Sequence, residues 1–128
     1  MPTPLEVVRD VYAAMAAKDV EGVLARCHPD VVITQDPALP WGGHFVGADG
    51  VAEFAIKLVG AIDSAVTPIA MFQAGNDVVQ YGRTAGTARE SGKTFDVAEC
   101  HVWTVVDGRV TRAMFYIDTA AMLDALAP

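Results

Sequence analysis

The stretch from Lys93 to Asp118, KTFDVAECHVWTVVDGRVTRAMFYID, constrains this chain more than any other. It reads as two long strands joined at Asp107-Gly108, a dipeptide that readily takes the positive φ angles of a type I′ hairpin turn. With Val106 paired to Arg109, every other cross-strand pair is fixed, because side chains alternate between the two faces. Cys100 then lies opposite Phe115, Val102 opposite Ala113 and Ala98 opposite Ile117, on one mostly apolar face. Glu99 opposite Tyr116, His101 opposite Met114 and Trp103 opposite Arg112 share the other face, the last pair suited to a cation–π contact. On this register the first face suits a core or pocket and the second suits water or a partner.

The N-terminal half is helical in pattern. Thr3-Pro4-Leu5-Glu6 is a capping box with proline at the first helical position. Leu5, Val8, Val11, Tyr12 and Met15 follow at helical spacing, and Tyr12 is the one member of that stripe with a polar tip. A second short helix capped by Asp19 ends at His28-Pro29-Asp30. Val31 to Asp36 reads as a strand stopped by Asp36-Pro37, and the Gly- and Pro-rich segment 38–50, with Trp41 and His44, reads as a loop or short hairpin. Asp49 is the expected cap of a third helix with Val51, Phe54, Leu58 and Ile62 on one face. Segments 65–74, 78–89, 94–106 and 109–117, separated by short Gly-containing turns, make an antiparallel meander, and a last helix runs over 119–126 with Asp118 as its cap.

Composition bounds the function classes. A chain of 128 residues, 52% of them hydrophobic, can bury one core, so a single domain over 1–128 is expected. A net charge of −7 with nine scattered basic residues speaks against a nucleic-acid surface. Glu53, Lys57 and Asp63 break the longest apolar run below the ~18 uncharged residues of a membrane span. No leader pattern opens the chain, and Cys27 and Cys100 form no CxxC pair, so a reduced, cytoplasmic setting is expected. His28, His44 and His101 have no metal-ligand spacing, and neither metal nor cofactor is expected.

Helices first and a curved antiparallel sheet afterwards give an α+β domain with the helices on one face of the sheet. The phrases VYAAMAAKDVEGVLARCHPDVVI, LPWGGHFVGADGVAEF and HVWTVVDGRVTRAMFYIDTAAM resemble the SnoaL-like branch of the cone-shaped nuclear transport factor two and ketosteroid isomerase superfamily, over essentially the whole chain. The resemblance implies a cone-like sheet with the N-terminal helices on its concave face. It also implies a cofactor-independent isomerase, cyclase or dehydratase acting on a small hydrophobic carbonyl or polycyclic ligand, or a non-catalytic binding or dimeric interaction domain of the same fold. Tyr12, in Tyr12-Ala13-Ala14, matches the isomerase's oxyanion-binding tyrosine, and Asp36, before Pro37, matches its general base. Cys100-His101 stands where the isomerase has an acid followed by histidine, and a thiol is a poor donor in that place.

The chemistry of those groups is simple. A partly desolvated Asp36 would take a proton from carbon beside a carbonyl, and Tyr12 would donate to the oxygen where charge develops. If Glu90 pairs with Lys93, Arg83 falls opposite Cys100 and Tyr81 opposite Val102, which makes Arg83 a buried cation in need of an anion. The implied ligand pocket is therefore lined by Trp41, His44, Phe54, Tyr81, Arg83, Cys100, Val102 and Phe115. Trp41 and His44 either close that pocket or pack their own loop. A homodimer is expected through the face carrying Glu99, His101, Trp103 and Arg112, whose E-x-H-x-W spacing would instead matter for chemistry if the two faces were reversed.

Overall fold

The computed structural model describes residues 1–128. Ten elements follow one another: α1 (Pro4–Ala16), α2 (Val20–Ala25), β1 (Cys27–Gln35), β2 (Gly43–Val46), α3 (Gly47–Ala61), β3 (Ile62–Ala74), β4 (Asp77–Ala88), β5 (Thr94–Val106), β6 (Arg109–Ile117) and α4 (Thr119–Leu126). Local signals set most of their ends. Thr3 and Glu6 form the reciprocal capping box of α1, Asp19 accepts from the Gly22 N–H at the start of α2, and Asp118 accepts from the Ala121 N–H at the start of α4. Asp49 does not cap α3; that helix opens at Gly47 with no side-chain cap, and Asp49 lies in its first turn, where a negative charge favours the helix dipole. Ile62 passes from α3 into β3 with no turn between them. None of the helices is long and apolar enough to cross a membrane.

The strands form one six-stranded sheet in the order β2-β1-β6-β5-β4-β3. The meander β3 to β6 is antiparallel throughout, as is β1 with β2. β1 pairs with β6 in parallel, so the sheet is mixed. A parallel pair needs a long crossover, and here everything from β2 to β5 supplies it. Val7, Val8 and Val11 of α1 and Val51 and Phe54 of α3 bury against the inner face of the sheet, and Met122 of α4 is fully buried in the same core. Each such side chain contributes roughly 1.5–3 kcal/mol of burial, enough to dock helices whose own propensity would not hold them.

The β5–β6 hairpin corrects the expected register. Asp107 and Gly108 do turn with positive φ, at 51° and 77°, and Val106 does pair with Arg109. Between Val110 and Arg112, however, β6 carries an extra residue, Thr111, whose Oγ1 donates to the Thr104 carbonyl at 3.3 Å. Beyond this bulge the pairs are Trp103–Ala113, Val102–Met114, His101–Phe115, Cys100–Tyr116 and Glu99–Ile117. A one-residue slip exchanges the faces of everything past it. Glu99, His101 and Trp103 therefore point inward, 3–5% exposed, while Cys100 and Val102 point outward.

The β4–β5 turn is also wider than Ser91-Gly92 suggests. Its ladder ends at Thr87–Thr94, which places Arg83 opposite Ala98 and Tyr81 opposite Cys100. This shift is of two residues, so it preserves the face, and Arg83 and Tyr81 do share a side with Cys100. That side is the outer one.

Candidate active site

The amphipathic stripe of α1 brings Tyr12 down onto the inner face of the sheet, and its hydroxyl becomes the centre of a polar cluster. Gln80 Nε2 on β4 and Trp103 Nε1 on β5 each donate to the Tyr12 oxygen at 2.9 Å. Those two bonds fill its lone pairs, so its own O–H goes to His101 Nδ1 at 2.7 Å. That bond assigns the imidazole hydrogen to Nε2, which donates to Glu99 Oε2 at 3.0 Å. Gln80 Nε2 also lies 3.2 Å from Glu99 Oε2. Phenol, imidazole and carboxyl thus form one continuous hydrogen-bonded chain.

The walls are aromatic. Phe115 meets the His101 ring edge to face at 4.7 Å and the Trp103 ring at 5.3 Å. Phe54 packs on Phe115, and Phe45 on Phe54, each at 5.5 Å between centroids. In these surroundings burial acts against charge. It pushes the Glu99 carboxyl up to about 7, with the Gln80 hydrogen bond pulling the other way, and it pushes His101 down to about 3. The Tyr12 phenol is raised as well, chiefly by burial. Glu99 and His101 are two potential metal ligands, and no third His, Cys, Asp or Glu joins them.

The residues expected at the site separate into three groups. Tyr12, Phe54 and Phe115 lie in or against the cluster. Trp41 is buried but donates through Nε1 to Gln35 Oε1 at 3.0 Å, which packs its own turn; exposed His44 lies 3.2 Å from Thr34 on the β1–β2 edge. Asp36 is exposed, and its Oδ1 accepts from the Ala38 N–H at 2.9 Å, the bond of an Asx turn. Tyr81, Arg83, Cys100 and Val102 stand on the outer face of the sheet. There Arg83 is no buried cation: it is half-exposed and pairs with Asp96 at 2.8 Å.

Gln80, Glu99, His101 and Trp103 are the interior polar residues that the expected pocket omits. The signal for three of them was the E-x-H-x-W spacing. For Gln80 it was an amide in the middle of an otherwise apolar or small alternation, Val78, Gln80, Gly82 and Thr84, all four buried.

Among solved structures, an NTF2-like protein from Burkholderia thailandensis is 30% identical over the full length of both chains, with a TM-score of 0.93. TerC, co-crystallised with polyporic acid, is 27% identical over 96% of this chain and 97% of its own, with a TM-score of 0.88. A candidate SnoaL-like polyketide cyclase from Jannaschia sp. CCS1 shares the fold at 18% identity, over 98% of this chain and 92% of its own, with a TM-score of 0.86. No curated protein matches the sequence. The family model described as a SnoaL-like domain matches residues 8–113, most of the chain, and with a curved sheet of the NTF2-like kind behind it the protein belongs to the SnoaL-like family.

Proposed function

We propose that this protein is a cofactor-independent enzyme that transfers a proton to or from a small, hydrophobic carbonyl-bearing or polycyclic molecule. The observation that carries the reading is the Glu99–His101 pair, buried and joined to Tyr12. Two titratable groups held side by side, with burial pushing one pKa up and the other down, are the arrangement acid–base sites use. Burying them is costly for folding, and an apolar pair of similar volume would pack the same space more cheaply. Tyr12 is the member of the cluster that is not fully buried, and in this reading a ligand oxygen takes the O–H now given to His101. The neighbour co-crystallised with polyporic acid supports a small organic ligand. In this reading Glu99 and His101 take over the proton-transfer part first assigned to Asp36, whose carboxylate is engaged in its own turn.

The test is hydrogen exchange into D2O at carbon beside the carbonyl, followed by NMR over a panel of cyclic diketones and unsaturated ketones. The native protein is expected to exceed buffer, and His101→Ala to lose roughly 10²-fold or more of the acceleration, the usual contribution of a general acid or base. A second reading, a binding protein without turnover, is favoured by one fact: the Tyr12 hydroxyl already makes three hydrogen bonds. Saturable binding of the same panel with no exchange in any member would establish it and end the first.

The homodimer also belongs here as a proposal, with its surface changed. Glu99, His101 and Trp103 are interior, so of the four residues first expected at the interface only Arg112 is on the outside. The outer face instead exposes Phe72, Tyr81 and Tyr116, each about half accessible. Apolar area of this kind on a sheet suits a second copy of the chain. Tyr116→Lys should convert a dimer mass to a monomer mass in sedimentation, and a native monomer at all concentrations would sink the proposal.

A further inference from the structure

Two interior oxygens of the cluster have no hydrogen-bond partner, Gln80 Oε1 and Glu99 Oε1. Both lie 2.9 Å from the point where a Cβ on Gly82 would stand, so they share one small space that exists because residue 82 has no side chain. Gln80 is fully buried, as is the Glu99 side chain. The other halves of the same two groups are already joined, with Gln80 Nε2 donating to Glu99 Oε2. An amide and a carboxylate joined through one edge leave two acceptors in that space, and buried acceptors without a donor are costly, more so when one bears charge. A carboxyl group in its acid form has one O–H to give and would satisfy both.

We infer that Glu99 rests as a neutral carboxylic acid, its Oε1 hydrogen donated to Gln80 Oε1 in a cyclic acid–amide pair, and that it is the proton source for a ligand oxygen at Tyr12. With that one hydrogen added, every polar hydrogen of the cluster finds an acceptor. Trp103 and Gln80 donate to Tyr12, Tyr12 donates to His101 Nδ1, His101 Nε2 and the second Gln80 N–H donate to Glu99 Oε2, and Glu99 donates to Gln80. The ion-pair alternative fails on the same count. An imidazolium would aim its Nδ1–H at a Tyr12 oxygen that already accepts two bonds, and would leave the Tyr12 O–H with no acceptor.

The surroundings favour the acid. Glu99 has no Lys or Arg partner; the titratable groups around it are Tyr12 from α1, His101 on its own strand and Cys100 on the outer face. β4 presents neutral Gln80 and Gly82, β3 the Thr67 carbonyl, and β6 pairs Ile117 with it. Burial pushes its pKa in the same direction.

For the use of this proton the inference rests on the proton-transfer reading. When a ligand oxygen takes the Tyr12 O–H, His101 Nδ1 is left without a donor. Once the imidazole hydrogen has moved from Nε2 to Nδ1 and the Glu99 hydrogen from Oε1 to Oε2, Tyr12 passes its proton to the ligand oxygen, His101 its Nδ1 proton to Tyr12, and Glu99 its own to His101 Nε2. One O–H bond forms on the ligand, one is lost at Glu99, and the protein is left with a carboxylate. The substrate class this selects is a neutral carbonyl or alcohol that reacts by gaining a proton on oxygen, as in ring closure onto a carbonyl or loss of water.

The experiment is infrared difference spectroscopy on the native protein and Glu99→Gln, titrated without ligand. The expected result is a protonated-carboxyl carbonyl band below pH 7 that shifts in D2O, disappears as pH rises through about 7, and is missing in Glu99→Gln. In Gln80→Leu that band should move to higher frequency, because the acid loses its acceptor. A carboxylate signature alone at pH 6, which a water bridging the two oxygens beside an ionised Glu99 would give, overturns the inference, and so does an unmoved band in Gln80→Leu. Because the readout needs no turnover, an inactive protein with this band would refute the proposed function alone, and an active one without it would refute this inference alone.

Discussion

Along β5 the residues that point toward the helices, Glu99, His101 and Trp103, include two ionisable groups, whereas those that point away, Ala98, Cys100 and Val102, are small or apolar. The inner set is tolerated because its members, with Tyr12 and Gln80, bond to one another almost completely. The outer set gains little, since Tyr81 and Tyr116 beside it remain about half exposed. Alternation of side chains therefore reveals that a strand exists and which residues travel together. It does not reveal which set faces the core when polar groups can satisfy one another.

The contrast can be broken most strongly at Trp103. Trp103→Ala should cost about 3–5 kcal/mol in urea unfolding, the usual penalty for emptying a buried aromatic site, while Val102→Ala one residue away should cost under about 1 kcal/mol. Equal losses would mean that the two faces are not distinct.

Next in size is a pH effect confined to the inner face. The Glu99 carboxyl is raised from 4.5 to about 7, so its contribution is fully present below the unfolded value and is lost as pH rises through the folded one. Taken alone, Glu99 would weaken the native protein by about 3 kcal/mol between pH 4.5 and 8, a slope that Glu99→Gln should abolish. His101 acts with the opposite sign: lowered from 6.5 to about 3, it withholds stability as pH falls from 6.5 toward 3. Between pH 4.5 and 6.5 the two slopes offset, and a plateau there, in thermal or urea unfolding, is the expected signature.

Gly82→Ala comes third. The added Cβ would strike the Thr67 carbonyl and both unpartnered oxygens, and a cost of about 1–3 kcal/mol is expected from calorimetry, typical of overpacking. Smallest is Arg83→Ala on the outer face, where an exposed pair with Asp96 should be worth under about 1 kcal/mol and less in high salt.

What was legible in the sequence was local. Thr3, Asp19 and Asp118 announce their helices through bonds spanning three residues, and Asp107-Gly108 announces its turn through its own backbone preference. Tyr12 could be found because a single polar tip on an apolar helical stripe has to meet something polar. The site around it could not be placed, because its other members depend on pairing across strands. Thr111 carries no mark of a bulge; nothing about a threonine among Val110, Arg112 and Ala113 says that one residue there goes unpaired. That slip moved Glu99 and His101 from expected surface to interior, and it carried Cys100 and Val102 out of the expected pocket. The outward position of Arg83 follows from the same reversal, even though its own strand was read on the correct side relative to Cys100.

The unpaired Thr111 has a consequence for how such a chain can change over time. Substitutions at this position alter one half-exposed side chain and leave the pairing on either side intact. Loss of a single codon there is another matter: it would restore the straight ladder and turn the hairpin inside out, carrying the acid and the imidazole into solvent and a thiol and a valine into the core. In this part of the sheet the length of β6 is a more sensitive inheritance than its composition.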